Sequence, residues 1–230
     1  MADLEATHRA IMTCTACALH KARANAVPGE GSPNARVMFV GEGPGFNEDR
    51  QGRPFVGAAG QFLNELLESI GLRREDVYIT NMVKCRPPNN RDPFPGEIAA
   101  CSGYMDEQIE AIDPDIIVPL GRHALARWFP RETISKLRAK PKRFGHATVL
   151  PLYHPAAALH NGNLRSTIVD DFRKIGDLLK GIGVPPPAAA DPQPPTSLLD
   201  QPQQPASAPD ERPTPPTPQE RSETQQLHLL

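Results

Sequence analysis

Residues 41–57, GEGPGFNEDRQGRPFVG, decide how the rest of the chain reads. They follow a short apolar run, Arg36 to Val40 (RVMFV), whose pattern predicts a buried strand. They precede Ala58 to Ile70, where Phe62, Leu63, Leu66, Leu67 and Ile70 recur at helical spacing. A strand, a glycine-rich loop and a helix in that order build a pocket at the carboxyl edge of a sheet. Gly41, Gly43 and Gly45 let backbone approach a ligand closely, and Pro44 stiffens the turn. The loop carries acids (Glu42, Glu48, Asp49) and one ring between its second pair of glycines, Phe55. A phosphate cradle more usually carries a lysine. Acids with a flat ring suit a nucleobase or another small planar ligand.

Working outward, Val77 to Asn81 (VYITN), Asp115 to Leu120 (DIIVPL) and Ala147 to Tyr153 (ATVLPLY) predict three more strands. Helices are expected over Met1 to Asn25 with a break near Thr13 to Cys17, over Glu97 to Ile112, briefly before Trp128, and over Asn163 to Leu179. Val27 to Asn34 reads as a turn-rich connector, and Arg86 to Pro95 as a stiff polar loop. Strands alternating with helices imply an α/β fold, a three-layer α/β/α sandwich around a mainly parallel four-stranded sheet. The glycine loop, Asn81 and His154 each follow a strand, so all three are expected on one edge of that sheet.

Beyond about residue 184 the composition changes. Pro185 onward holds 13 of the 27 prolines and no aromatic residue. Such a segment buries too little apolar surface to offset its ordering entropy, so 1–184 reads as the domain and 185–230 as a disordered tail. The tail carries a net charge of −4 and the rest +2 within the overall −2. A mildly basic core is compatible with nucleic acid. Arg122 to Arg143 holds eight Lys/Arg and one acid, readable as a solvated face or as a phosphate-contacting edge. No membrane span or signal peptide is visible, and a soluble cytoplasmic monomer is the expectation. Four cysteines, Cys14, Cys17, Cys85 and Cys101, with a C-x-x-C pair near the N-terminus, suggest a metal site rather than disulfides. The residues alone leave zinc or an iron–sulfur cluster open.

GEGPG at Gly41 to Gly45, GRPFVG at Gly52 to Gly57, TNMVKCRPP at Thr80 to Pro88 and YHPA at Tyr153 to Ala156, with the four cysteines in order, resemble the iron–sulfur (family-4) members of the uracil-DNA glycosylase superfamily. The resemblance covers roughly Leu4 to Leu179. It implies a monofunctional hydrolase that flips deoxyuridine from DNA, cleaves its N-glycosidic bond and leaves an abasic site. It assigns uracil contacts to Gly41, Glu42, Gly43, Glu48, Phe55, Asn81 and His154. Phe55 would stack on the base, and Asn81 would read N3–H and O4. His154 would face O2, and Glu48 would block the methyl of thymine. In better-known uracil glycosylases an aspartate stands at the place of Gly43. Without it, Glu42 and Asn90 are the candidates to hold the attacking water, beside His154 as the third catalytic residue. The cysteines would ligate a [4Fe–4S] cluster. Two readings from other classes stand beside this one: a non-catalytic binder of uracil or nucleic acid, and a redox protein. Gln226, Leu227, Leu229 and Leu230 of the terminal QLHLL resemble the peptide by which bacterial repair proteins bind the sliding clamp, with the flexible tail as tether.

Overall fold

In a computed structural model the chain is described over residues 2–182. Helix α1 (Leu4–Thr13) opens it, with Asp3 Oδ1 accepting from the backbone N–H of Glu5 and Ala6. A short 3-10 turn, Ala18–Lys21, follows the expected break. The strands are β1 (Glu30–Gly31), β2 (Val37–Gly41), β3 (Tyr78–Asn81), β4 (Ile116–Pro119), β5 (Lys142–Phe144) and β6 (Ala147–Val149). The remaining helices are α2 (Phe46–Gln51), α3 (Ala58–Glu68), α4 (Pro95–Ile112), α5 (Gly121–Leu125), α6 (Ile134–Leu137), α7 (Ala156–His160) and α8 (Leu164–Gly181).

The strands form one sheet in the order β1-β3-β2-β4-β6-β5. The inner four pair in parallel, as expected from the alternation of strands and helices. The sheet has six strands rather than four, because a short antiparallel strand closes each edge. One edge strand lies in the predicted connector and the other at the end of the basic run. Neither carries an apolar run: β5 is Lys-Arg-Phe, exposed throughout.

All residues of β2, β3 and β4 are buried; β2 and β4 read as apolar runs, whereas β3 ends in the buried polar pair Thr80 and Asn81. Successive side chains point to opposite faces of the sheet. Val37 and Phe39 join Leu63, Leu66, Ile168 and Phe172, from α3 and α8, on one face. Met38 and Val40 join Met105, Ile112 and Ala124, from α4 and α5, on the other. The rings of Phe39 and Phe172 stack at 5.7 Å. These two apolar layers are the two sides of the predicted sandwich.

Register brings the carboxyl ends together. Gly41 is opposite Asn81, Leu120 N–H donates to Val40, and Leu120 bridges Leu152. The first central strand pairs with β3 on one side and β4 on the other, so the connections diverge there and leave a crevice.

Candidate active site

A cleft of about 660 Å³ occupies that crevice. It is lined by Glu42, Gly43, Glu48, Phe55, Asn81, Asn90 and His154, with Asp92, Arg91 and Arg122 on its wall. Of the predicted uracil contacts only Gly41 does not face the open cleft. It lies behind, and a Cβ there would stand 2.3 Å from Asn81 Oδ1 and 2.8 Å from the Phe55 ring. Gly41 therefore makes the space in which the amide and the ring converge.

Phe55 is a core residue and a cleft residue at once. It is 6 % exposed, packs with the α3–α8 layer, and stacks on His154 with ring centroids 5.4 Å apart. Its backbone takes φ 51°, in the left-handed region that a non-glycine residue occupies only when its surroundings hold it. Arg74 supplies that hold. Its Nη1 donates to Phe55 O (3.0 Å) and Asn64 Oδ1 (3.0 Å), its Nη2 to Pro54 O (2.7 Å), and its Nε to Glu30 (2.7 Å). Gly60 at the start of α3 allows the approach, since a Cβ there would meet Phe55 O at 1.8 Å.

Asn81 is 2 % exposed, and its side-chain amide has no hydrogen-bond partner among the described residues. Its donors and acceptor open onto the cleft. Its backbone carbonyl accepts from Lys84 Nζ at 2.8 Å.

His154 Nδ1 accepts the backbone N–H of Ala156 at 3.1 Å. Burial lowers its pKa to about 4, with Glu48 opposing. The ring is therefore neutral near pH 7, and its one proton sits on Nε2, which is left as a donor. Gly121 (φ 83°) lets the turn after β4 pass His154, where a Cβ would lie 3.2 Å from the histidine Cβ.

Glu48 lines the cleft, but its carboxylate is not free. Oε1 accepts the N–H groups of Val56 and Gly57, each at 2.9 Å, so it pins the Phe55 loop. Asp49, the third acid of the loop, is buried and accepts the backbone N–H of Ala24 at 2.9 Å. The glycine loop is accordingly not all loop: Phe46–Gln51 is helical.

Gly43 cannot readily take a side chain, since a Cβ would stand 2.8 Å from Val83 Cγ2. Asn90 Oδ1 accepts from Arg86 Nε at 2.7 Å, which leaves the Asn90 NH2 as a donor for a water in the cleft. Glu42 stands 3.5 Å from His123 Nε2, which is 3.2 Å from Asp92. Burial pushes the Glu42 carboxyl above its ordinary range, and Asp92 adds to this against His123 and Arg122. The basic run divides. Arg122 reaches the cleft, whereas Arg127 and Arg138 turn into ion pairs with Asp106 and Asp171.

A model of the uracil DNA glycosylase superfamily matches residues 28–174, a span that includes β2 to β6 and every cleft residue named above. The chain belongs to the uracil DNA glycosylase superfamily. Among its superfamily relatives, the type-4 uracil-DNA glycosylase of Sulfurisphaera tokodaii is 51% identical over 188 residues, covering 77% of this chain and 86% of that one. The Archaeoglobus fulgidus type-4 enzyme is 51% identical over 187 residues, covering 77% and 94%. That of Thermotoga maritima is 48% identical over 185 residues, covering 78% and 96%.

The four cysteines of this superfamily member line one recess with Tyr104. All are free thiols. Cys14 and Cys17 come from the segment after α1, Cys85 from the loop after β3, and Cys101 from α4. Arg23 Nη1 donates to Cys85 Sγ at 3.0 Å, and Lys84 N–H to Cys101 Sγ at 3.4 Å. Among the described residues, the His, Cys, Asp or Glu trio gathered within 4.8 Å is Glu42, Asp92 and His123. The sulfurs are not drawn together in that way, whereas one tetrahedral zinc with sulfur at about 2.3 Å would hold them about 3.8 Å apart. A wider, all-sulfur donor set fits an iron–sulfur cluster. Within the Glu42 trio, Asp92 is already paired with Arg122, which also donates to His123 Nε2.

Sequence reading missed Arg74, Asp92 and His123. No local pattern marks them, because each acts on a residue far away in the chain. The terminal QLHLL peptide and the domain boundary near 184 lie outside the described residues. No described helix is long and apolar enough to cross a membrane.

Proposed function

We propose that this chain is a monofunctional uracil-DNA glycosylase whose cleft binds deoxyuridine flipped out of DNA and hydrolyses its N-glycosidic bond. The observation that carries the reading is the nearly buried Asn81 amide, unpartnered among the described residues, converging with Phe55 and His154 on one cleft. The amide opens onto the cleft, where a uracil edge matches it by accepting at O4 and donating from N3–H, while a mismatched edge leaves desolvated groups unpaired. Cytosine offers the reverse pattern. The type-4 uracil-DNA glycosylases that are about half identical to it over the aligned stretch support the same activity.

Phe55 contributes the stacking face. The Nε2–H of neutral His154 donates to O2, where negative charge accumulates as the bond lengthens, and so binds the transition state better than the substrate. Glu42 accepts a proton of the attacking water while the Asn90 NH2 donates to its oxygen. Glu48 fixes the Phe55 loop and narrows the space beside C5. Among the described residues no lysine lines the cleft to form a sugar imine. The four cysteines would hold a [4Fe–4S] cluster that cross-links α1, the loop after β3 and α4. The QLHLL terminus would tether the enzyme to the sliding clamp. Equal recovery of clamp with and without the last five residues would remove that tether.

The test is uracil release from an end-labelled oligonucleotide with a single deoxyuridine, read as alkali-labile cleavage. The purified chain releases uracil, and His154→Ala is about 10²- to 10³-fold slower. An intact, folded chain that leaves deoxyuridine in place overturns the reading.

A further inference from the structure

Phe46, the first residue of α2, is 51 % exposed although it is aromatic. Two guanidiniums lie against its ring: Arg86 at 5.1 Å and Arg50 at 5.6 Å from the centroid. The ring is tied to the cleft rim on two sides. Gly45, directly before it, lines the cleft, and Arg86 donates from Nε to the cleft residue Asn90. Nothing in the chemistry assigned to the cleft uses this ring. Phe94, another exposed ring, has Arg91 stacked at 3.8 Å over its face, and Phe144 sits on the edge strand β5, away from the cleft lining.

We propose that Phe46 is a second stacking platform, taking the base next to the flipped uracil, with Arg50 and Arg86 binding the phosphates on either side. An aromatic face flanked by cations is the combination that holds single-stranded nucleic acid, since every base has a π-face and every linkage a negative charge. In an intact duplex the neighbouring base is already stacked in the helix. The platform therefore favours single-stranded or locally opened DNA. This inference rests on the glycosylase reading of the cleft.

The test measures binding apart from cleavage, by fluorescence anisotropy of the full chain on a single-stranded oligonucleotide carrying 2′-fluoro-deoxyuridine, whose electron-withdrawing fluorine slows bond cleavage. Phe46→Ala and Phe46→Leu raise Kd about tenfold, while Phe46→Trp stays near wild type. Phe144→Ala, which also removes an exposed ring, leaves Kd unchanged. Replacing the flanking nucleotides, one side at a time, with abasic linkers weakens wild-type binding on one side by the same factor. On that substrate Phe46→Ala adds nothing further. Unchanged Kd in Phe46→Ala overturns the proposal and leaves the ring to a protein partner. A Phe46 effect that persists on both abasic-flanked substrates overturns it as well. A chain that binds as described but releases no uracil from ordinary deoxyuridine fails the glycosylase reading instead.

Discussion

Gly41→Ala adds one methyl at the place where base reader and ring meet. Gly41 is not among the residues with positive φ, so alanine adds no backbone strain. Its carbonyl still accepts from Met82 N–H at 2.9 Å, so the pairing at the end of β3 survives. What changes is space. The new Cβ would lie 2.3 Å from Asn81 Oδ1 and 2.8 Å from Phe55, where ordinary contact begins at 3.4 Å. The amide must retreat by about 1 Å, a misplacement worth about 10²-fold in rate. Overpacking of this kind costs about 1–3 kcal/mol of stability, too little to unfold a typical domain. Single-turnover uracil release and urea denaturation on the same preparation separate the two effects. The rate falls about a hundredfold while the denaturation midpoint moves modestly. In an Asn81→Ala background, Gly41→Ala costs much less, because the displaced group is already gone. A folded Gly41→Ala enzyme within threefold of wild type would refute the convergence argument.

Arg74→Ala removes the donors that hold Pro54 and Phe55 in place and leaves Glu30 without one of its two arginines. It lowers stability by about 2–4 kcal/mol in urea denaturation and raises KM more than it lowers kcat, since the platform loosens before the chemistry is touched. The His154 pKa in the fold, about 4, is below the unfolded value of 6.5. The unfolded chain binds the extra proton, so this contribution to stability is intact above pH 6.5 and is lost as pH falls towards 4. A stability–pH profile of His154→Gln is flatter than wild type across that window. Glu42 must be ionised to accept from water, and its pKa is raised, so kcat falls on the acid side above the ordinary carboxylate range. Glu42→Gln is slower and loses that limb of the profile.

The central sheet was legible because β2 and β4 are buried on both faces and appear as apolar runs, and β3 as a short β-propensity run, Tyr-Ile-Thr. The edge strands were not: β1 is two residues long, and β5 hides in a basic stretch. Helix α2 was invisible for a related reason, since six residues with a single apolar member show no period. Phe55, Asn81 and His154 could be placed on one edge because each follows a strand, and parallel pairing puts strand ends together. What the sequence does not show is how the set is held. Arg74 sits 19 residues after Phe55 and Asp49 is 25 after Ala24, and neither reach leaves a local signature. Glu48 illustrates the limit: it lines the cleft, as the glycine loop suggested, whereas its bonds to Val56 and Gly57 arise only once the loop folds back.

Asn81 is fixed from inside the protein rather than from the cleft. Lys84, 1 % exposed, points its ammonium inward at three oxygens: Thr80 Oγ1 (2.7 Å), Asn81 O (2.8 Å) and Gln108 Oε1 (2.7 Å). Gln108 on α4 then donates to Pro28 O at 2.8 Å and to the Tyr78 hydroxyl at 3.0 Å, and that hydroxyl meets His8 of α1 at 2.6 Å. Burial lowers the Lys84 pKa to about 7, so its charged form persists there only through such a complete set of partners, and the set holds its members in one arrangement. The residue after Lys84 is Cys85, and Lys84 N–H itself faces Cys101 Sγ. The cysteine recess and the base reader therefore share one short piece of backbone, gripped on one side by sulfur and on the other by this network. A group held by the four cysteines would act on the cleft by fixing that backbone, and would so position the Asn81 amide although no cysteine lines the cleft.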